Sequence, residues 1–187
     1  MVKKLQTPLT EAKTQTLKAG DKVLLSGYIY TGRDAAHKRL KELLDKGERL
    51  PFDVQDATIY YVGPTPAKEG NVIGSAGPTT SYRMDAYAPA LIDKGLKGMI
   101  GKGKRNDEVI QAIIRNKGVY FGAIGGAAAL IASCIKESQV IAYDDLGTEA
   151  VRKLYVEDMP LVVIIDSEGN NLYEIGKKTY LESFVDG

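Results

Sequence analysis

Between residues 23 and 135 the chain alternates β-forming runs with runs of helical periodicity, separated by turns that carry glycine. Residues 23–30 (Val-Leu-Leu-Ser-Gly-Tyr-Ile-Tyr) are rich in branched and aromatic side chains and read as a central strand. Asp34 is a suitable N-cap for a helix over 35–46, with Leu40, Leu43 and Leu44 on one face and Gly47 at its end. Residues 57–62 (Ala-Thr-Ile-Tyr-Tyr-Val) form a second strong strand, with shorter ones at 72–73 and 98–100. A helix is predicted over 107–116, where Val109, Ile110, Ile113 and Ile114 are apolar, and a strand over 119–124. Gly125-Gly126 then opens a small-residue helix over 127–135. Alternation of this kind favours an α/β sheet with right-handed crossovers. The outer thirds carry strands at 3–8, 140–143, 161–165 and 171–175, with only short helices after Thr10 and over 179–184. The expectation is a single domain over 1–187, an α/β fold with an additional β layer.

Composition narrows what such a domain can do. A net charge of +1 supplies no basic field for nucleic acid. No run of eighteen apolar residues is present to span a membrane, and the first residues lack the apolar centre of a signal peptide. A cytoplasmic location is expected. The chain has one cysteine, Cys134, and one histidine, His37. It can form no internal disulfide, no zinc-finger site and no complete four-thiolate iron–sulfur site. Cys134 lies in an apolar run (Leu-Ile-Ala-Ser-Cys-Ile) and is expected to be a small buried hydrophobe. No metal site is assigned to this chain.

Four turns lead from a predicted strand to a predicted helix: 31–34, 77–81, 101–104 and 124–126. In open α/β sheets such turns gather at the carboxyl ends of the strands, where ligands bind. They hold Arg33, Thr79, Thr80, Ser81, Lys102 and Lys104, and Arg83 follows directly. Residues 82–94 are predicted as a helix, with Thr79, Thr80 and Ser81 as natural caps. An arginine in its first turn opposes the helix dipole, which suggests a negative ligand in front of it. The same stretch is equally consistent with a plain capped helix and a solvated arginine. Taken together the turns imply a small anion, and two arginines suit a dicarboxylate. The run Gly98-Met-Ile-Gly-Lys-Gly-Lys104 approaches a phosphate-binding loop, but Arg105 stands where the magnesium-binding hydroxyl must be. A lone histidine is more often a structural hydrogen-bonder than a catalyst, although beside an anion site His37 has a pKa suited to acid or base work.

Five motifs occur in order: Thr31-Gly-Arg-Asp-Ala-Ala-His-Lys-Arg39, Tyr60-Tyr-Val-Gly-Pro64, Gly77-Pro-Thr-Thr-Ser-Tyr-Arg-Met-Asp85, Met99-Ile-Gly-Lys102 and Gly125-Gly-Ala-Ala-Ala129. Over roughly residues 15–180 the chain resembles the β subunit, or C-terminal domain, of class I iron–sulfur fumarate hydratase. The L(+)-tartrate dehydratase β subunit shares this framework. The resemblance implies a swivelling β/β/α domain, three layers with a mixed sheet. It also implies a partner α subunit holding a 4Fe-4S cluster through three cysteines, with an open iron that acts as a Lewis acid. The active site would lie between the two parts, so this chain alone would be inactive. By resemblance, Arg33, Arg83 and Lys102 match binders of the substrate carboxylates, and Thr79 matches a base removing the C3 proton of malate. His37 matches a second active-site candidate, and Gly77 and Thr80 shape the pocket. The implied activity is reversible hydration of fumarate to L-malate, with L-tartrate as an alternative substrate. The motif details at 31–37 and 125–128 favour fumarate. A stand-alone anion-binding module without a catalytic partner is the third reading.

Overall fold

The computed structural model describes residues 1–123 and 128–185, the last two of these by backbone alone. Its strands are β1 (Val2–Gln6), β2 (Lys22–Thr31), β3 (Thr58–Tyr60), β4 (Gly98–Gly101), β5 (Val119–Ala123), β6 (Ile135–Ala142) and β7 (Val151–Ile165). They form one seven-stranded sheet in the order β1-β2-β3-β4-β5-β7-β6. Neighbours from β1 to β5 are parallel, and β7 runs antiparallel to β2, β5 and β6. The β2–β7 pairing, over Lys22 to Tyr30, closes β2, β3, β4, β5 and β7 into a ring.

Closure leaves the parallel strands β3, β4 and β5 buried on both faces, and neighbouring residues in a strand point to opposite sides. Tyr60 and Phe121 face inward with Leu25, Ile29, Leu161 and Val163. Their neighbours Tyr61 and Tyr120 face the other way, into a second core with Leu40, Leu91, Met99 and Ile113. The second core is covered by helices α2 (Asp34–Asp45), α3 (Ala88–Asp93) and α4 (Asp107–Asn116), which lie between successive parallel strands. The short helix α1 (Glu11–Thr14) precedes β2, α5 (Ala128–Cys134) precedes β6, and α6 (Leu172–Val185) follows β7. The mixed α/β sheet is as the sequence leads one to expect. Among the described residues no helix is long and apolar enough to cross a membrane.

Several elements differ from the sequence reading. Residues 171–175 begin a helix rather than a strand, and Asn171 Oδ1 accepts the Tyr173 amide at 3.1 Å in its first turn. Strand β7 begins ten residues before the expected 161. Pro160 disguises it, since proline removes a ladder donor. Here the strand bends one residue pair earlier, at Asp158 (φ 47), whose amide bonds Ser26 Oγ at 2.9 Å. Strand β6 starts at Ile135, directly behind α5. The glycine pair expected to open that helix lies outside the described residues. Residues 72–73 are in a loop, tied at its base by Thr65 and Ser75.

Candidate functional site

The parallel strands β2, β3 and β4 end side by side, so their following turns converge as expected of an open α/β edge. After β2 the chain enters α2 through Arg33, which occupies the N-cap position with extended backbone. Asp34, expected to cap, is instead the first helical residue, and its carboxylate turns away to Arg83. Arg83 Nη2 donates to Asp34 Oδ2 at 2.5 Å. Arg33 Nε lies 3.4 Å from Glu149 Oε1. Each guanidinium thus meets one carboxylate through one nitrogen. The remaining N–H groups of both make no hydrogen bond to a described residue and remain available as donors.

The stretch after Gly77 does not form the long helix expected over 82–94. A four-residue 3-10 turn, Ser81–Met84, is followed by a break and then by α3, with Pro89 in its first turn. Proline inside a longer helix would clash with the preceding turn, so the helix restarts there. Neither Thr80 nor its neighbours cap the turn by side chain. The helix-dipole argument for an anion therefore does not apply. What holds the turn is burial of two polar residues. Ser81 Oγ lies 2.8 Å from Tyr120 Oη, which donates to the Gly103 carbonyl. Asp85 accepts from Arg105 Nε and from the Asn106 amide, both at 2.7 Å. Arg105 is itself buried between the rings of Tyr61 and Tyr120.

This framework sets out the remaining candidates. The Thr79 amide donates to the Tyr61 carbonyl at 2.7 Å, and its hydroxyl makes no hydrogen bond to a described residue. Thr80 bridges to Lys102, whose carbonyl accepts from the Ser81 amide at 2.8 Å. Lys102 is exposed. Gly101 is required, because a Cβ there would sit 2.0 Å from Ser81 Oγ. Gly77 lies beside Ala128, the first described residue of α5.

His37 is wholly buried. Its Nδ1–H donates to the Arg33 carbonyl at 2.9 Å, and its ring meets Tyr61 edge-on. With that tautomer Nε2 is an acceptor, and it is buried without a partner among the described residues. Burial, reinforced by the positive charge of Arg105, pushes its pKa down to about 4 despite the opposing pull of the Arg33 carbonyl. The ring is neutral near pH 7 and fixes the backbone that carries Arg33. Proton transfer by Nε2 would need the ring to be uncovered.

Tyr61 ties these residues together, since it touches His37 and Arg105 by its ring and Thr79 and Ile100 by its backbone. The sequence reading passed over Arg105 and Asp85 as a pair, and Glu149 altogether. Asp85 closes one of the quoted motifs, which was a usable signal. Glu149 is distant in sequence and carried none. A cavity of about 710 Å³ lies elsewhere, between the 65–75 loop and α5. The site is an open edge. Among the described residues no three histidine, cysteine or acidic side chains could hold a metal ion.

Residues 2–176 match the family described as Fumarase C-terminus. The chain belongs to this family. Among its relatives is the aerobic class I fumarate hydratase of Salmonella typhimurium, 40% identical over 91% of this chain. Fumarate hydratase 2 of Leishmania major is 39% identical over 90%. The chain spans 30% of the length of each of these proteins. A protein of Methanocaldococcus jannaschii, provisionally named L(+)-tartrate dehydratase subunit beta, is 41% identical over 92% of both chains. The fumarase C-terminal family thus includes longer proteins and one of matching length.

Proposed function

We propose that this chain supplies one half of a hydro-lyase active site acting on a four-carbon dicarboxylate, with fumarate and L-malate as the preferred pair. The observation that supports this best is the convergence of two incompletely bonded guanidiniums, Lys102 and the Thr79 hydroxyl on one strand edge. Arginine N–H pairs match carboxylates in bidentate geometry, and two such groups fit the two ends of a dicarboxylate. In this reading Arg33, Arg83 and Lys102 bind the substrate, and Gly77 and Thr80 shape its surroundings. Thr79, as its alkoxide, takes the C3 proton in dehydration as the C2 hydroxyl departs, and returns that proton in hydration. A threonine side chain can be ionised for this only where its negative charge is stabilised, and Lys102 and Arg83 are the cations at hand. His37 supports Arg33 from behind.

Family membership brings with it the expectation of a 4Fe-4S cluster and a swivelling domain. This chain's residues do not fit cluster ligation. Its one cysteine is buried in α5, with Sγ 3.9 Å from the Asp158 carbonyl. The cluster and its chemistry belong to a separate α subunit, whose surface would close the open edge. The relative of matching length, named as a subunit beta, supports this division. It also supports the second reading, in which the dicarboxylate is L-tartrate.

Substitution tests the assignment in the complex with the cluster-bearing chain. Arg83→Ala is expected to lower kcat/KM by at least about a hundredfold. Thr79→Ala is expected to lower kcat while KM stays within about threefold. Normal turnover in Arg83→Ala would remove it from the site, and a pure KM effect at Thr79 would make it a positioning residue.

A further inference from the structure

We infer that Glu149 is a positioning residue that sets the orientation of Arg33 toward the substrate; this rests on the dicarboxylate reading above. Glu149 ends the 3-10 segment Asp144–Glu149, which lies against α2. That segment is fastened at both ends. Arg39 grips Asp145 with both terminal nitrogens, at 2.9 and 2.6 Å. After Glu149, the Ala150 carbonyl accepts from Thr31 Oγ1 at 3.3 Å, and Thr31 Oγ1 in turn accepts from the Arg152 amide at 3.0 Å. The backbone that carries Glu149 is therefore fixed to the end of β2, two residues before Arg33.

The side chains meet in a confined place. The shaft of Arg33 crosses Gly63 so closely that a Cβ there would lie 2.9 Å from Arg33 Cδ and 3.4 Å from the Thr148 carbonyl. Arg33 is thus held between Gly63 and the 144–149 segment. Its Nε and Glu149 Oε1 are both buried and 3.4 Å apart, an ion pair in which neither atom makes a hydrogen bond among the described residues. A carboxylate at Nε restrains the plane of the guanidinium and leaves the two terminal nitrogens as a fork for a ligand carboxylate. Asp34 restrains Arg83 differently, through the terminal nitrogen Nη2. With each arginine balanced by its own acid, Lys102, which makes no ion pair among the described residues, adds positive charge beside the incoming dianion.

The test is a double-mutant cycle in the complex with the cluster-bearing chain, read as kcat and KM for L-malate. Glu149→Gln keeps the shape and removes the charge. It is expected to raise KM about tenfold with kcat within about twofold, and to leave thermal unfolding unchanged. In an Arg33→Ala background the same change is expected to leave kcat/KM unaltered, because Glu149 acts through Arg33. An unchanged or lowered KM in Glu149→Gln overturns the inference, as does an equal penalty in the Arg33→Ala background. An inactive wild-type complex would instead overturn the functional reading on which it rests.

Discussion

At the scale of single residues, His37 makes a statement about pH that does not depend on turnover. Its pKa is depressed from 6.5 to about 4, so between those values the unfolded chain binds a proton that the folded chain refuses. Stability must therefore fall as pH falls through that window, by roughly 3 kcal/mol from this one group. His37→Asn can keep a donor near the Arg33 carbonyl and cannot titrate. Urea unfolding at pH 7 and pH 4 should show wild type losing about 3 kcal/mol more than the variant across that interval. Equal losses would mean that the ring is not buried in the neutral form. The pair formed by Arg83 and Asp34 is a different case. Both side chains are substantially exposed, so breaking it should cost no more than about 1 kcal/mol of stability.

At the scale of elements, the turn after Gly77 depends on charges buried beneath it. The Arg105 side chain is fully buried and Asp85 nearly so. Asp85→Ala leaves that guanidinium unpaired in the core and removes the acceptor of the Asn106 amide. The expected loss is about 3–5 kcal/mol, measured by urea denaturation, and a loss below about 1 kcal/mol would contradict the account. What the sequence discloses follows the same physics. Strand β2 and helix α4 were legible because their apolar patterns answer to cores that bury them. The turns bearing Arg33, Thr79 and Lys102 were legible because strand ends in such sheets lie together. The helix expected over 82–94 restarts at Pro89, a signal contrary to that of the capping residues before it. Strand β7 was read at one third of its length, since its first part is half polar and contains Pro160. Glu149 was not legible, because only the return of β7 beside β2 brings it to Arg33.

At the scale of the whole molecule, the cations stand on an open edge while the cavity of about 710 Å³ lies elsewhere. Charged groups that perform chemistry work best where water is excluded, since their fields are then weakly screened. In the proposed reading such an edge is half of a site, which agrees with a chain that spans 30% of its fumarate hydratase relatives. The chain alone should therefore show no hydration of fumarate. The most direct test is anaerobic turnover of the purified chain, alone and then mixed with a cluster-loaded α subunit, on fumarate, L-malate and L-tartrate. Activity in the mixture only, fastest on fumarate and L-malate, is the result predicted. Full activity of the chain alone, or none in a verified complex, would contradict it.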